Sequence, residues 1–357
     1  MSDVVIAIPV RDEAKRIGSC LAALARQSTP ARHIVLLLNN CTDGTAEVIR
    51  KLCPGPHQLH LIERRLEGNS ASAGVARSLA MDYAASLLDD GVLLSTDADA
   101  EVPDDWVEAN LRAIEDGADA VCGQAVIDPI EALLIPGHLH EDDAREVAYG
   151  RLLDEIGSIV LPDPSDPWPR HREDSGASIA LTASMFRSVG GVPPLASGED
   201  RALIARLRSV DARVRHDPHI RVVVSGRIEG RAPGGMADTI RRRMVLQDEF
   251  VDACIEPAWR AFHRLSLKRR FLDVWRYPTK PGLQRLARML AIDPGVVTEA
   301  LASPYMGQGW FQIEQATPLL SPRRVRFADL PRQTQVAQEI RRSLTNRIRY
   351  SDQLTAA

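Results

Sequence analysis

No stretch of this sequence approaches the roughly 18 consecutive apolar residues of a membrane-spanning helix. The opening MSDVVIAIPVRDEA begins a strand at once, without the basic region, long apolar core and small-residue cleavage site of a signal peptide. The expected location is therefore the cytoplasm, with peripheral membrane contact left open. The five cysteines, Cys20, Cys41, Cys53, Cys122 and Cys254, contain no C-x-x-C pair, and their odd number argues against a disulfide framework. There is no internal repeat at a period of roughly 20–50 residues and no low-complexity tract, which removes solenoids and flexible linkers. Nor is there an excess of positive charge. The net charge is -4, so an anionic substrate must be met by local cationic groups or by a metal rather than by the field of the whole molecule.

What is present is a chain of 357 residues, enough for one large α/β domain and a smaller appendage, each with its own core. Apolar runs at 3–10, 33–39, 60–63 and 92–94 read as strands, and helical periodicity fills 13–27, 43–52, 73–88 and 104–117. Asp43 stands where it can cap the second of these helices. Alternation of this kind predicts a mostly parallel, doubly wound sheet. Further strands are expected at 120–127 and 220–226, with a helix over 141–160, regular structure over 178–193 and a helix after Glu199. Beyond about residue 235 the strand signals stop. Helices are expected there over 237–256, 257–276, 283–292 and 293–303, the last with Asp293 and Pro294 as its cap and first residue.

The most informative stretch is VLLSTDADAEVP, residues 92–103. A buried strand there carries Asp97 and Asp99 to its carboxyl end, where open α/β sheets hold their ligands. Two carboxylates on one turn repel each other, and hard oxygen ligands of this type suit Mg²⁺ or Mn²⁺.

Four segments, in order, resemble the family 2 glycosyltransferases of the GT-A fold: IPVRDEA at the first strand, NNCTDGT at 39–45, TDAD at 96–99 and GVPPLASGEDRALIARL at 191–207. Together they span about residues 1–235. The resemblance implies a GT-A domain at 1–235 and a nucleotide-sugar donor whose sugar passes to an acceptor hydroxyl; 236–357, which has no part in it, is expected from its helical pattern to be a helical domain. It implies that Pro9 and Arg11 line the base and ribose pocket, that Asp43 hydrogen-bonds the nucleotide, and that Arg77 supports the donor site by charge. As a plain surface residue, Arg77 would instead pair with Glu67 or Asp82. Asp97 would accept from ribose hydroxyls, and Asp99 would hold the Mn²⁺ or Mg²⁺ that bridges the phosphates. Asp200 would be the general base of an inverting reaction, with Glu199 positioning the acceptor or orienting Asp200. The position that reads the base in many relatives falls on Leu38, with Asn39 beside it, so UDP- and GDP-linked donors are both admitted. His219, with His216 as a second choice, is the candidate third metal ligand. Trp168 and His171, in a Pro-rich loop with Arg172, are the candidate acceptor contacts, Trp168 by stacking.

Other readings fit less well. A retaining GT-A reaction uses similar motifs. A haloacid-dehalogenase-like phosphatase places its Asp-x-Asp on the first strand, whereas three strands precede it here. An EF-hand loop beginning at Asp97 would need glycine where Val102 stands. A non-catalytic nucleotide-binding protein needs no base at Asp200. The segment 283–303 has a helix-turn-helix outline, but VVTEALAS offers no side chain that reads base edges, so no nucleic acid is expected. Arg221, Arg227, Arg231, Arg241, Arg242 and Arg243 crowd a short span, as a solvated face or as an anion site for phosphates. The segment GRIEGRAPGG is a candidate closing loop, and assembly as a homo-oligomer stays open.

Overall fold

The computed structural model describes residues 3–52, 55–230 and 235–355. The chain forms two compact units. The first comprises Met1–Pro136, Glu173–Arg208 and Ala212–Val245, and the second Gly137–Arg172, Ser209–Asp211 and Leu246–Ala357. Residues 137–172, which lie inside the span read from the sequence as the first domain, thus group with the C-terminal helices.

The first unit is built on β1 (Val4–Val10), β2 (His33–Asn39), β3 (Gln58–Arg64), β4 (Val92–Ser95), β5 (Ala120–Ile127), β6 (Ile179–Thr182) and β7 (Val214–Val224). They form one sheet in the order β3-β2-β1-β4-β6-β5-β7, in which β6 alone runs antiparallel to its neighbours. The helices are α1 (Ile17–Ala25), α2 (Thr45–Lys51), α3 (Ala73–Ser86), α4 (Trp106–Glu115) and the short α5 (Pro129–Ala132). After α6, which lies in the second unit, come α7 (Ala183–Ser188), α8 (Glu199–Ser209) and α9 (Met236–Val245). Alternate residues of β1 explain the layering. Ile6, Ile8 and Val10 pack with Leu21 of α1, Ile49 of α2 and Trp106 of α4 on one face. Val5 and Ala7 pack with Ala80 and Met81 of α3, Phe186 of α7 and Leu203 of α8 on the other. A sheet buried on both faces needs the unbroken apolar runs that β1 and β2 carry.

The second unit contains α6 (Gly137–Val160), α10 (Ala258–Arg276), α11 (Lys280–Leu290), α12 (Pro294–Leu301), α13 (Met306–Ala316) and α14 (Leu330–Thr355). Tyr149 and Ile156 of α6 pack with Ala337 and Ile340 of α14, and Phe271 of α10 packs with Trp310 of α13 and Leu290 of α11. Asp293 caps α12 through the Gly295 amide at 2.7 Å, with Pro294 at the first helical position as its sequence predicts. Two sequence expectations change. The helix expected over 237–256 stops at Val245, because Phe250 pairs with Arg326 and the Val251 amide bonds to the Val325 carbonyl at 3.0 Å. Strand β7 begins at Val214 rather than Ile220. Asp217 and Pro218 interrupt its apolar pattern, and a register shift between Cys122 and Gln124 accommodates the irregularity. Among the described residues, no helix is long and apolar enough to cross a membrane.

Candidate active site

Strands β1, β2 and β4 run parallel, so the turns that follow them open at one edge of the sheet. Because β6 runs against β4, with Ile179 opposite Ser95, the residues just before β6 arrive at that same edge. Arg11–Glu13, Asn39–Asp43, Asp97–Asp99 and Ser175–Gly176 therefore share it. The TDAD segment alternates: Thr96 and Ala98 point inward and are buried, while Asp97 and Asp99 are partly open.

Arg77 of α3 ties this edge together. It is not a surface arginine paired with Glu67 or Asp82. It is 6% exposed, and its guanidinium donates to Asp97 Oδ1 at 2.6 Å, Glu199 Oε1 at 3.0 Å, Ser95 Oγ at 2.6 Å and the Gly176 carbonyl at 2.8 Å. Burial works against the charge, but Asp97 and Glu199 outweigh it and push the Arg77 pKa up. A buried ion needs its full set of partners, and here they come from β4, the strand following it in space and α8. Two glycines make room. A Cβ on Gly176 would lie 2.5 Å from Arg77 Cζ, and one on Gly74 would lie 2.2 Å from the Leu195 carbonyl oxygen and 2.8 Å from Glu199 Oε2.

Asp99 has a different partner. Its Oδ2 lies 3.2 Å from Arg227 Nη2, and Arg227 Nη1 lies 2.7 Å from Oε1 of Glu13, which is 4% exposed. The bridge between Glu101 and Val223 brings the end of β7 beside the TDAD turn. Glu131 then fixes the chain beyond it by accepting from Ser225 Oγ at 3.0 Å and the Gly226 amide at 2.7 Å. Burial and the neighbouring Asp97 push the Asp99 pKa up to about 6 against the pull of Arg227, with Glu13 adding to the rise. Two hard carboxylates at a sheet edge fit Mn²⁺ or Mg²⁺ as a donor set.

The candidate donor residues lie around the β1 and β2 ends. Pro9 is partly buried near the end of β1, and Arg11 donates to the Ala71 carbonyl at 3.1 Å. Asn39 is 1% exposed. Its Nδ2 donates to the Ser72 carbonyl at 3.3 Å while its Oδ1 has no partner, as is also true of buried Thr96 Oγ1. Asp43 joins two turns, accepting from the Ala14 amide at 3.0 Å and the Thr45 amide at 3.1 Å, while the cap position of α2 is held by Gly44 rather than Asp43. Asp200 opens α8 after Gly198, whose φ of +73° suits glycine. Its two oxygens accept from the Gly176 amide at 3.0 Å and the Arg201 amide at 2.7 Å. Both bonds fix the carboxylate while leaving lone pairs to spare. Glu199, by contrast, is 6% exposed and turned to Arg77, so it braces the site rather than facing an acceptor.

Residues 5–167 match the family model "Glycosyl transferase family 2". This part of the chain is similar to the family 2 glycosyltransferases. Similar folds among solved structures include the mannosyltransferase PcManGT from Pyrobaculum calidifontis, in complex with GDP-Man and Mn²⁺. It is 19% identical, with 88% of each chain covered and a TM-score of 0.47. They also include S. aureus TarS 1-349 in complex with UDP-GlcNAc, at 16% identity, 98% of this chain, 92% of that chain and a TM-score of 0.46. The same TarS fragment with UDP gives 15%, the same coverage and 0.43. No curated protein matches the sequence.

The matched segment holds Pro9, Arg11, Asn39, Asp43, Arg77, Asp97 and Asp99; Glu199, Asp200 and Arg227 lie beyond it and reach the same edge through the sheet. His219 is exposed on β7 and is not grouped with Asp97 and Asp99. The group of potential metal ligands that does converge among the described residues is Cys122, Asp174 and His216, with ligand atoms within 4.8 Å of one another. Arg208 lies against it, 3.1 Å from His216 Nε2 and 3.4 Å from Asp174. Trp168 and His171 lie in the second unit, where the Arg151 guanidinium stands 5.8 Å from the Trp168 ring centroid. Arg172, read as an acceptor contact, forms a bidentate pair with Asp154 at 3.0 and 2.7 Å. The arginine-rich span divides: Arg221 bonds to the Pro218 carbonyl, Arg241 pairs with Asp238, and Arg227 goes to the site. Arg231 and the Ala232–Gly234 part of the candidate closing loop lie outside the described residues. Sequence reasoning missed Glu13 and the specific place of Arg227, although Arg227 follows a strand end by three residues.

Proposed function

We propose that the chain transfers a sugar from a nucleoside-diphosphate donor to an acceptor hydroxyl, with Asp97 and Asp99 as the residues that hold a Mn²⁺ or Mg²⁺ ion. The observation that carries this reading is Arg77. One buried guanidinium joins Asp97 of the candidate metal motif to Glu199, whose neighbour Asp200 is the candidate base. When bound, the cation would supply charge to offset the diphosphate as it leaves. The protein's own groups do the rest. Arg77 holds Asp97 and Glu199 in place, Pro9, Arg11, Asn39 and Asp43 meet the nucleoside, and Asp200 takes the proton from the attacking hydroxyl. A base opposite the leaving group makes the reaction inverting. The amide bonds from Gly176 and Arg201 orient Asp200 without satisfying all its acceptor sites.

The test is a thermal-shift matrix of UDP, GDP, CDP and dTDP, each with Mn²⁺, Mg²⁺ or a chelator. The proposal expects at least one nucleotide to raise the melting temperature with metal and to do so far less with chelator. Ligand-independent melting across the whole matrix would reject it.

A further inference from the structure

Both carboxylates of the TDAD motif are already engaged by arginine, but the two arginines differ. Arg77 is enclosed and has four partners, whereas the Arg227 side chain is 22% exposed and, among the described residues, forms its ion pairs with Glu13 and Asp99. The backbone before Arg227 is fixed by Glu131 at Ser225 and Gly226, so the freedom resides in a long side chain at the rim. Its guanidinium sits 3.2 Å from the same carboxylate that is assigned to the cation. A divalent ion held by Asp99 would share this carboxylate with the guanidinium, and two cations on one carboxylate repel each other.

We infer that Arg227 is the resident counter-cation of Asp99 and competes with the divalent ion for it, so that metal and nucleotide bind as a linked pair. This rests on the reading that Asp97 and Asp99 hold the ion. In the nucleotide-free protein Arg227 neutralises Asp99 and Glu13, and a lone metal ion must displace it without compensation. With a diphosphate present, the displaced guanidinium has new anionic oxygens within the same rim, a geometry that its planar donors match. Metal affinity is then low without nucleotide and high with it, and by linkage the nucleotide shows the same dependence on metal.

The experiment is calorimetric titration of Mn²⁺ into wild-type protein, Arg227→Lys and Arg227→Gln, each with and without UDP or GDP. Because Arg227→Gln also removes the charge facing buried Glu13, the double variant Glu13→Gln, Arg227→Gln is measured beside it. Without nucleotide, the two glutamine variants should bind Mn²⁺ about tenfold or more tightly than wild type, and Arg227→Lys should stay close to wild type. The enhancement by nucleotide should shrink in both glutamine variants. Equal or weaker Mn²⁺ binding by them without nucleotide, with wild type binding normally when nucleotide is added, overturns the competition and leaves the metal assignment standing. No Mn²⁺ binding by any protein, with or without nucleotide, overturns the metal assignment and this inference together.

Discussion

Asp200 and Asp99 are both carboxylates at one sheet edge, and their surroundings give them different work. Asp99 is largely buried and faces the Arg227 guanidinium, whereas Asp200 is held by two backbone amides. Asp200→Asn keeps the shape and one acceptor, so nucleoside-diphosphate affinity should stay within about twofold of wild type. Turnover of the sugar nucleotide should fall roughly 100-fold or more. Steady-state kinetics beside calorimetry separates the two quantities, and parallel loss of both would make Asp200 a donor-binding residue. At this scale the sequence was informative where chemistry and local chain coincide: TDAD and GED are short, and their carboxylates need no distant partner to be recognised. Arg77 and Arg227 were legible only as cations. Their partners come from residues 20 and 122 positions away for Arg77, and 214 positions away for Glu13 and Arg227, a pairing that only the fold creates.

Among elements, α3 and the turn leading into α8 meet at glycine. Gly74→Ala would place a Cβ 2.2 Å from the Leu195 carbonyl oxygen, a backbone atom that cannot swing aside, so α3 or the 194–199 turn must shift. The expected cost is about 1–3 kcal/mol in urea unfolding, with weakened nucleotide binding because the shift moves Arg77 and Glu199. Gly18→Ala in α1 is the control: nothing lies within 4 Å of its Cβ, and the better helix former should leave stability unchanged or raise it by up to about 1 kcal/mol. Equal destabilisation by both would show that the close packing at Gly74 is not what matters. Strands β2 and β5 fall at the residues their apolar runs mark, because a strand buried on both faces writes its ends into the sequence. The start of β7 and the end of α9 did not. Both depend on pairing with distant segments, residues 120–122 for β7 and 325–326 for the chain after α9.

For the whole molecule, a net charge of -4 leaves recognition of an anionic donor to local groups. On the proposed reading, the two arginines and the ion at the TDAD turn are those groups. The alternation of strands and helices made the mostly parallel sheet legible from the sequence, but not its antiparallel strand β6, nor the membership of residues 137–172 in the second unit, since α6 is helical wherever it packs. The same molecule holds a second arrangement that a metal could favour, Cys122 with Asp174 and His216, and it was invisible in sequence because its members come from β5, the turn before β6 and β7. The most direct measurement is therefore anomalous diffraction at the manganese edge from crystals grown with Mn²⁺ and the nucleoside diphosphate that the thermal-shift matrix selects. The account predicts a peak within about 2.5 Å of an Asp99 carboxylate oxygen, with Arg227 withdrawn from that carboxylate. A peak among Cys122, Asp174 and His216, with Asp99 still paired to Arg227, would contradict it.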